Sequence, residues 1–134
     1  MARSLLQTAN QSSATLSVGN VIPLGTVLRR FGCNLELSND GNSIEVVGGG
    51  YFTFDCDVTL APTEEGTVSV ALYENGVQIP GAIASGYAAA GVPVTLPINT
   101  TIRQKCCKMT DNITCVLLSG ASTLSNLSLR AEKK

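Results

Sequence analysis

The stretch LYENGVQIPGA, residues Leu72–Ala82, carries the strongest local signal for the fold. Asn75-Gly76 lies between two segments that alternate apolar and polar residues, which is typical of a two-residue hairpin turn of type I′. Such a turn places Ile79 opposite Leu72 on the apolar face of the hairpin. Because proline has no N–H to donate, we expect Pro80-Gly81 to end the pairing and release the chain into the crossover loop AIASGYAAAG.

Similar short apolar runs recur on both sides of this hairpin, separated by the turn sequences SNDGN, GGG, APTEEG and KMTDN. A short hairpin followed by a long crossover, in a chain without any helix-length periodic segment, is typical of a jelly roll. We therefore predict an all-β fold, a two-sheet antiparallel jelly roll. The predicted strands are Val21–Arg30, Cys33–Leu37, Ser43–Val47, Tyr51–Leu60, Thr67–Glu74, Val77–Ile79, Val94–Arg103, Ile113–Ser119 and Thr123–Ala131.

Alternation within these strands also predicts the core, since successive side chains point to opposite faces of a sheet. Each long strand has one clearly apolar side, as expected for two sheets packed on a shared interior. The predicted core residues are Phe52, Phe54, Cys56, Val58, Val68, Val70, Leu72, Ile79, Leu96, Ile98, Ile102, Leu127 and Leu129.

The length of 134 residues corresponds to one domain. Residues 1–20 are rich in Ser, Thr, Gln and Asn, and we interpret them as a loosely held leader or a first edge strand. Residues 21–134 then form the jelly-roll head. The first residues resemble neither a secretory signal nor a membrane span, because their apolar run is only two residues long.

Composition points to contact with another protein surface. The hydrophobic fraction is 44% and the charged fraction 14%, which indicates apolar surface beyond the needs of a solvated monomer. The net charge of −1 argues against a nucleic-acid or anionic-membrane partner. The chain has no histidine, so Ser-His-Asp and Cys-His catalysis and His-ligated metal sites are excluded.

The segments RRFG, GGGYFTFDCDV, VALYENGVQIPGA and LSNLSLRAEK occur in this order. Together they resemble the C1q/TNF-like jelly-roll heads, and most of all the heads of bacterial collagen-like spore-surface glycoproteins and related orphan proteins of gut bacteria and phages. The resemblance implies a trimeric sandwich that caps a fibre or decorates a surface, with one sheet facing the threefold axis. No Gly-x-y repeat precedes the head, so a collagen stalk is not encoded here.

Three residues are candidates for the trimer interface or another surface contact: Tyr51, Tyr87 and Leu124. Tyr87 stands alone in the Ala/Gly-rich segment, and tyrosine offers a broad contact area at low entropic cost. Asp55 and Asp57 share one strand face and are weak candidates for a calcium site, although two carboxylates alone are too few ligands. We therefore assign no metal and no cofactor.

The five cysteines lack the CxxC spacing of zinc sites. The alternation of side chains along its strand places Cys56 in the core, where a thiol acts as a small hydrophobe. Cys106 or Cys107 could pair with Cys115 across the CKMTDNIT turn, or with Cys33. Because the count is odd, at least one thiol is free or bridges subunits. Buried free thiols are the default without a signal peptide.

The sequence favours a non-enzymatic structural or adhesive head domain that forms a homotrimer on a phage particle or bacterial surface. A host-surface glycan or protein is a conceivable partner, without nucleic-acid binding or membrane insertion. A virion or cell-surface location would be reached without a classical signal peptide. The alternative is a monomeric carbohydrate-binding β-sandwich module, which would need two or three exposed aromatic residues in a row.

Overall fold

The computed structural model describes residues 3–104 and 110–133, and within these ranges every regular element is a β-strand. None of the described residues belongs to a helix, so none of them supplies a helix long and apolar enough to cross a membrane. The strands are β1 (Leu5–Asn10), β2 (Ala14–Leu16), β3 (Thr26–Phe31), β4 (Leu35–Leu37), β5 (Ile44–Val46), β6 (Gly50–Pro62), β7 (Gly66–Glu74), β8 (Val77–Ala88), β9 (Val94–Gln104), β10 (Asp111–Ser119) and β11 (Ser122–Lys133).

These strands form two antiparallel sheets. The first sheet has the order β3-β1-β11-β6-β9, with β2 also pairing with β11, and the second has the order β4-β5-β10-β7-β8. Strands β8 and β9 contact each other along one edge of the sandwich, while β1 and β4 meet near the opposite edge. The predicted all-β, two-sheet antiparallel jelly roll is confirmed.

The core lies between the two sheets and has the composition that strand parity predicts. All 13 predicted core residues are buried, and the most exposed of them, Ile79, retains only 8% of its surface. The core also contains residues outside the predicted set, including Leu6, Leu24 and Ile44. The interior therefore extends under the N-terminal third of the chain.

The Asn75-Gly76 turn has the predicted conformation, since both residues have positive φ, 52° and 83°. The prediction that Pro80-Gly81 ends the pairing is wrong. Strand β8 continues to Ala88, and the four residues 79–82 bulge opposite Leu72 before pairing resumes. A proline is tolerated there because β8 is an edge strand and a bulge leaves its residues unpaired. The chain instead crosses to β9 through residues 89–93.

Residues 5–10 form neither a loose leader nor an edge strand. Strand β1 lies inside the first sheet, between β3 and β11, and its Leu6 is completely buried. Its inward face also carries Thr8 and Asn10, and the amide of Asn10 donates to the carbonyl of Pro23 at 3.1 Å. These polar inward residues hide the alternation that marks the other strands.

Candidate contact surface

The outer face of the first sheet carries a band of polar side chains, which we call the polar face. It consists of Thr53, Asp55, Asp57 and Thr59 on β6, Thr95, Asn99 and Thr101 on β9, and Ser128, Arg130 and Glu132 on β11. Register places Arg130, Asp55 and Asn99 side by side across three strands. Alternation of the strands therefore separates a polar outside from an apolar inside.

Asp55 is the centre of this band. Its Oδ2 accepts a hydrogen bond from Arg130 Nη2 at 2.8 Å. With the Asn99 amide oriented so that its nitrogen faces the carboxylate, that nitrogen donates to Asp55 Oδ1 at 2.7 Å. The hydrogen bond and charge of Asp55, together with the charge of Glu132, raise the pKa of Arg130. Both oxygens of Asp55 are thus engaged by protein groups.

Asp55 and Asp57 do share a face, as their spacing predicts, but the structure does not assemble a metal site around them. Asp57 lies between Ser128 and Pro97, neither of which carries a carboxylate. Across residues 3–104 and 110–133, no group of three or more Cys, Asp or Glu side chains could hold a metal ion. The carboxylate of Asp55 is neutralised by arginine instead.

Tyr51 lies at the end of the polar face, where β6 begins, and 54% of its surface is exposed. The guanidinium carbon of Arg103 lies 6.0 Å from the centre of its ring. This spacing allows a cation–π contact, which is worth about 0.5–1 kcal/mol at an exposed site. Tyr51 is therefore available at the surface, with one side of its ring near a cation.

Tyr87 lies on strand β8, opposite Thr67, and not in a crossover loop as predicted. It is 67% exposed and points to the outer face of the second sheet, as does Ile83. Val92 is exposed in the loop that follows. We call Ile83, Tyr87 and Val92 the β8 margin, since they form an apolar strip along one edge of the sandwich.

A second apolar strip lies at the opposite edge of the first sheet. All six residues of β3 are exposed, because this strand pairs only with β1 and no strand of the second sheet covers it. Val27, Leu28 and Phe31 are the apolar residues on it, and Phe31 is 63% exposed. We call these three residues the β3 margin.

Leu124 is not a surface contact. It has no exposed surface and belongs to the core, as does Leu127. Both residues point inward although they are three positions apart, because the register of β11 against β6 shifts between Leu124 and Asn126. Such a bulge inserts one residue and reverses the parity of the strand beyond it.

The structure separates the cysteines proposed for disulfides. Cys33 is exposed after β3, whereas Cys115 is buried on β10, and the predicted pairing of either residue with Cys106 or Cys107 is not tested. The influence of Cys115, followed by burial, raises the pKa of Cys56 well above its usual range. Cys106 and Cys107 lie outside the described residues, and their pairing with Cys115 stays a prediction.

A shallow cavity of about 310 Å³ lies at the β6–β7 turn. Its only titratable lining groups are Glu64 and Glu65, which are both exposed. The sequence shows the turn but not the cavity, which depends on the approach of the β10–β11 connection. Its lining residues are Thr63, Glu64, Glu65, Gly66, Gly120 and Ala121.

Sequence reasoning pointed to the exposed side chains of Tyr51 and Tyr87, whose role in a contact stays a prediction, but missed the β3 margin and the Arg130–Asp55–Asn99 row. The margin escaped notice because its apolar residues do not alternate, so they read as part of a longer buried strand. The row depends on pairing between strands that are distant in sequence. A single sequence gives no direct signal for such register.

No protein-family profile matches the sequence, and no curated protein sequence matches it. Solved structures do match. Murine APRIL at pH 5.0 aligns with a TM-score of 0.76 at 15% identity, over 99% of this chain and 100% of that one. The globular domain of zebrafish complement 1qA protein aligns with a TM-score of 0.71 at 8% identity, covering 96% and 94%. PRD1 vertex protein P5 aligns with a TM-score of 0.67 at 13% identity, covering 97% and 96%. This chain therefore has the TNF/C1q-like jelly-roll fold.

Proposed function

We propose that this protein is a non-enzymatic structural or adhesive head domain that forms a homotrimer on a phage particle or bacterial surface. One observation carries the proposal: the sandwich has two apolar margins, and they lie at opposite edges. The β3 margin is at the free end of the first sheet, and the β8 margin is at the far edge of the second sheet. Exposed apolar strips of this kind mark protein contact sites.

Two different surfaces at opposite edges favour a head-to-tail contact between copies. A heterologous contact closes into a ring when the rotation between copies is a simple fraction of a turn. The resemblance to C1q/TNF-like heads supports three copies. In such a ring the β8 margin of each copy covers the β3 side of the next.

The surface chemistry supports a binding role over catalysis. The chain has no histidine, and Asp55, the centre of the polar face, is already paired with Arg130. Tyr51 lies on the first sheet and Tyr87 on the edge of the second, so they do not form the aromatic row that a carbohydrate-binding module needs. This separation favours the trimeric head over the monomeric carbohydrate-binding module.

The location and partner extend the same proposal. PRD1 vertex protein P5 has this fold, which supports a place on a virion, and the resemblance to spore-surface heads supports a cell coat. A host-surface glycan or protein would bind the outer parts of the trimer that remain exposed. Glycan-array binding by the assembled protein tests the glycan; absence of binding would leave a purely structural head.

Light scattering coupled to size-exclusion chromatography tests the oligomer. We expect a mass of about 42 kDa at micromolar concentration, three times the 13.9 kDa of one chain. The double substitution Ile83→Thr/Tyr87→Thr keeps strand-forming residues but removes apolar contact. Because substitutions at interface hot spots usually have effects of this size, we expect the dissociation constant of the trimer to rise at least tenfold. The control Val18→Thr changes an exposed residue outside both margins and should leave the mass unchanged.

A mixing experiment tests the head-to-tail geometry. Val27→Thr/Phe31→Thr removes the β3 margin, and Ile83→Thr/Tyr87→Thr removes the β8 margin. Each variant alone should be monomeric. Mixed together they should form a heterodimer, because one copy keeps an intact β8 margin and the other an intact β3 margin. A monomeric wild-type chain, or variants that do not combine, would contradict the proposal.

A further inference from the structure

The turn between β7 and β8 consists of Asn75 and Gly76, which form the only Asn-Gly pair in the sequence. Both residues are exposed, and a Cβ added to Gly76 would meet no atom within 4 Å. An asparagine that precedes glycine loses its side-chain amide in water more readily than other asparagines, because glycine has no side chain to shield its backbone nitrogen. Water and the reacting nitrogen are therefore both accessible at this turn.

Two hydrogen bonds hold the side chain of Asn75 against β10. Its Nδ2 donates to Asp111 Oδ1 at 2.7 Å, and its Oδ1 accepts from the Asn112 N–H at 2.8 Å. The backbone N–H of Asn75 also donates to the Asn112 carbonyl, at 2.9 Å. Both ends of the side-chain amide are thus engaged, and turning its carbon toward the Gly76 nitrogen requires these bonds to break.

We propose that Asn75 is a deamidation site that the contact with β10 protects. The residue keeps its amide while the hairpin turn is bound to Asp111 and Asn112. It is converted to aspartate or isoaspartate when that contact opens. Neither apolar margin takes part in this contact, so the inference does not depend on the trimer.

The reaction consumes only water. The backbone nitrogen of Gly76 attacks Asn75 Cγ, the Cγ–Nδ2 bond breaks, and Nδ2 leaves as ammonia with the proton of the Gly76 N–H. The product is a five-membered succinimide ring. Water then opens the ring, giving aspartate if the bond from Cγ to the ring nitrogen breaks and isoaspartate if the bond from the main-chain carbonyl carbon breaks. One water is taken up, one ammonia is released, and nothing is oxidised or reduced.

The product does not restore the contact with β10. A carboxylate at position 75 has no N–H to donate to Asp111, and the two negative charges repel each other. In isoaspartate the main chain is one carbon longer, which does not fit the geometry of a two-residue turn. Opening of the hairpin is therefore recorded as a permanent loosening of the turn from β10.

Peptide mapping by mass spectrometry tests the protection. The wild-type chain is kept in mildly alkaline buffer with and without a denaturing concentration of urea, and the gain of about 1 Da at Asn75 is followed over time. We expect the reaction to be at least about tenfold slower in the folded protein, since the hydrogen bond to a charged group must first break. Equal rates with and without urea would overturn the proposal.

A pair of variants tests the role of Asp111. Asp111→Ala removes the acceptor of the Asn75 amide and should deamidate at Asn75 about tenfold faster than the wild type. Asp111→Asn is the matched control, since it keeps an acceptor oxygen, and its rate at Asn75 should stay near that of the wild type. Circular dichroism establishes that both variants are folded, and a folded Asp111→Ala that reacts at the wild-type rate would contradict the proposal.

Asn75→Asp carries the aspartate product without any change at Asp111. Its Tm should lie below that of the wild type at neutral pH, and the difference should shrink near about pH 4, where carboxyl groups become protonated. This measurement remains decisive if Asp111→Ala does not fold. A Tm equal to that of the wild type at neutral pH would show that the product does not loosen the turn.

Discussion

Glu74 and Asp111 bring two carboxyl groups together where β7 ends and β10 begins. Burial raises the pKa of Glu74 most, followed by the hydrogen bond to Asp111 and the charge of that residue. Asn75 Nδ2 donates to Asp111 Oδ1 at 2.7 Å, and the Asn112 N–H donates to Asn75 Oδ1 at 2.8 Å. The hairpin turn is therefore linked to β10 by a hydrogen-bond network that includes two neighbouring carboxyl groups.

This pair predicts a pH-dependent contribution to stability. Because the folded state raises the pKa of Glu74, it binds that proton more tightly than the unfolded chain does. This contribution to the free energy of unfolding is fully present below the pKa that Glu74 has in the unfolded chain. It is lost as the pH rises through the higher pKa that Glu74 has in the folded protein. At neutral pH Glu74 is ionised beside Asp111, which lowers the free energy of unfolding.

We expect Glu74→Gln to stabilise the protein at neutral pH by less than about 1 kcal/mol, since the pair is partly exposed to solvent. The gain should vanish near pH 4, where the wild-type carboxyl is protonated. Urea unfolding at both pH values measures it. Glu64→Gln is the control, since Glu64 is exposed in the β6–β7 turn. A gain of equal size at both pH values would refute the explanation by the raised pKa of Glu74.

At the scale of the strand, β8 shows how an edge accommodates residues that would interrupt an inner strand. Its bulge places Ile79 and Ala82 in the core while Pro80 and Gly81 remain exposed. Gly81 has a φ of 82°, which side-chain-bearing residues rarely adopt. The bulge thus depends on glycine for its backbone and not for space.

Gly81→Ala should therefore cost about 1 kcal/mol through backbone strain alone. No atom lies within 4 Å of the added Cβ. Gly66→Ala is the matched control, since its Cβ is equally unobstructed and its φ is not positive. Gly25→Ala should cost more than Gly81→Ala, because its Cβ would overlap the carbonyl oxygen of Ala9. Thermal unfolding of the three variants gives the order, and equal Tm values for Gly81→Ala and Gly66→Ala would refute it.

The elements that sequence reasoning predicted well are those whose pattern is local. Alternation along β6 and β9 is visible within about ten residues, so their inward faces could be read directly. Pro80 was misread because its tolerance depends on β8 being an edge, which is a property of the neighbours. Strand β1 was misread because Thr8 and Asn10 face inward and interrupt the apolar pattern.

For the contact surface, too, local features were visible in the sequence and features that depend on strand pairing were not. The exposure of Tyr87 and Tyr51 could be predicted because an isolated aromatic residue beside small or polar neighbours is visible in the sequence. Leu124 was misplaced because the bulge at Ser125 reverses parity, and no residue type announces it. The β3 margin was missed because its exposure follows from the position of β3 at the end of the first sheet, which no local pattern shows.

For the whole molecule, β1 has a structural role that its polar composition does not suggest. It is the partner of both β3 and β11, so its removal would detach β3 and leave residues 127–132 of β11 without a neighbour on that side. The cavity left by Leu6 would open into the core. Residues 5–10 are thus part of the sandwich itself.

Deletion of residues 1–12 should consequently prevent stable folding. The expected signs are an insoluble chain or loss of the cooperative unfolding transition, measured by circular dichroism on heating. The control deletion of residues 1–3 stops short of β1 and of Ser4, whose hydroxyl donates to Asn34 at 2.8 Å. A cooperative transition in the longer deletion at the wild-type Tm would show that β1 is dispensable.

The pairing of Leu5 with Glu132 has a further consequence for biosynthesis. A ribosome releases β1 long before β11, so the earliest strand must wait unpaired on that side while more than a hundred residues are added. Contacts of such high sequence separation slow folding and lengthen the period in which bare strand edges can aggregate. The first sheet therefore matures only after translation has passed β11, and chaperones that hold extended chains would meet this protein in that interval.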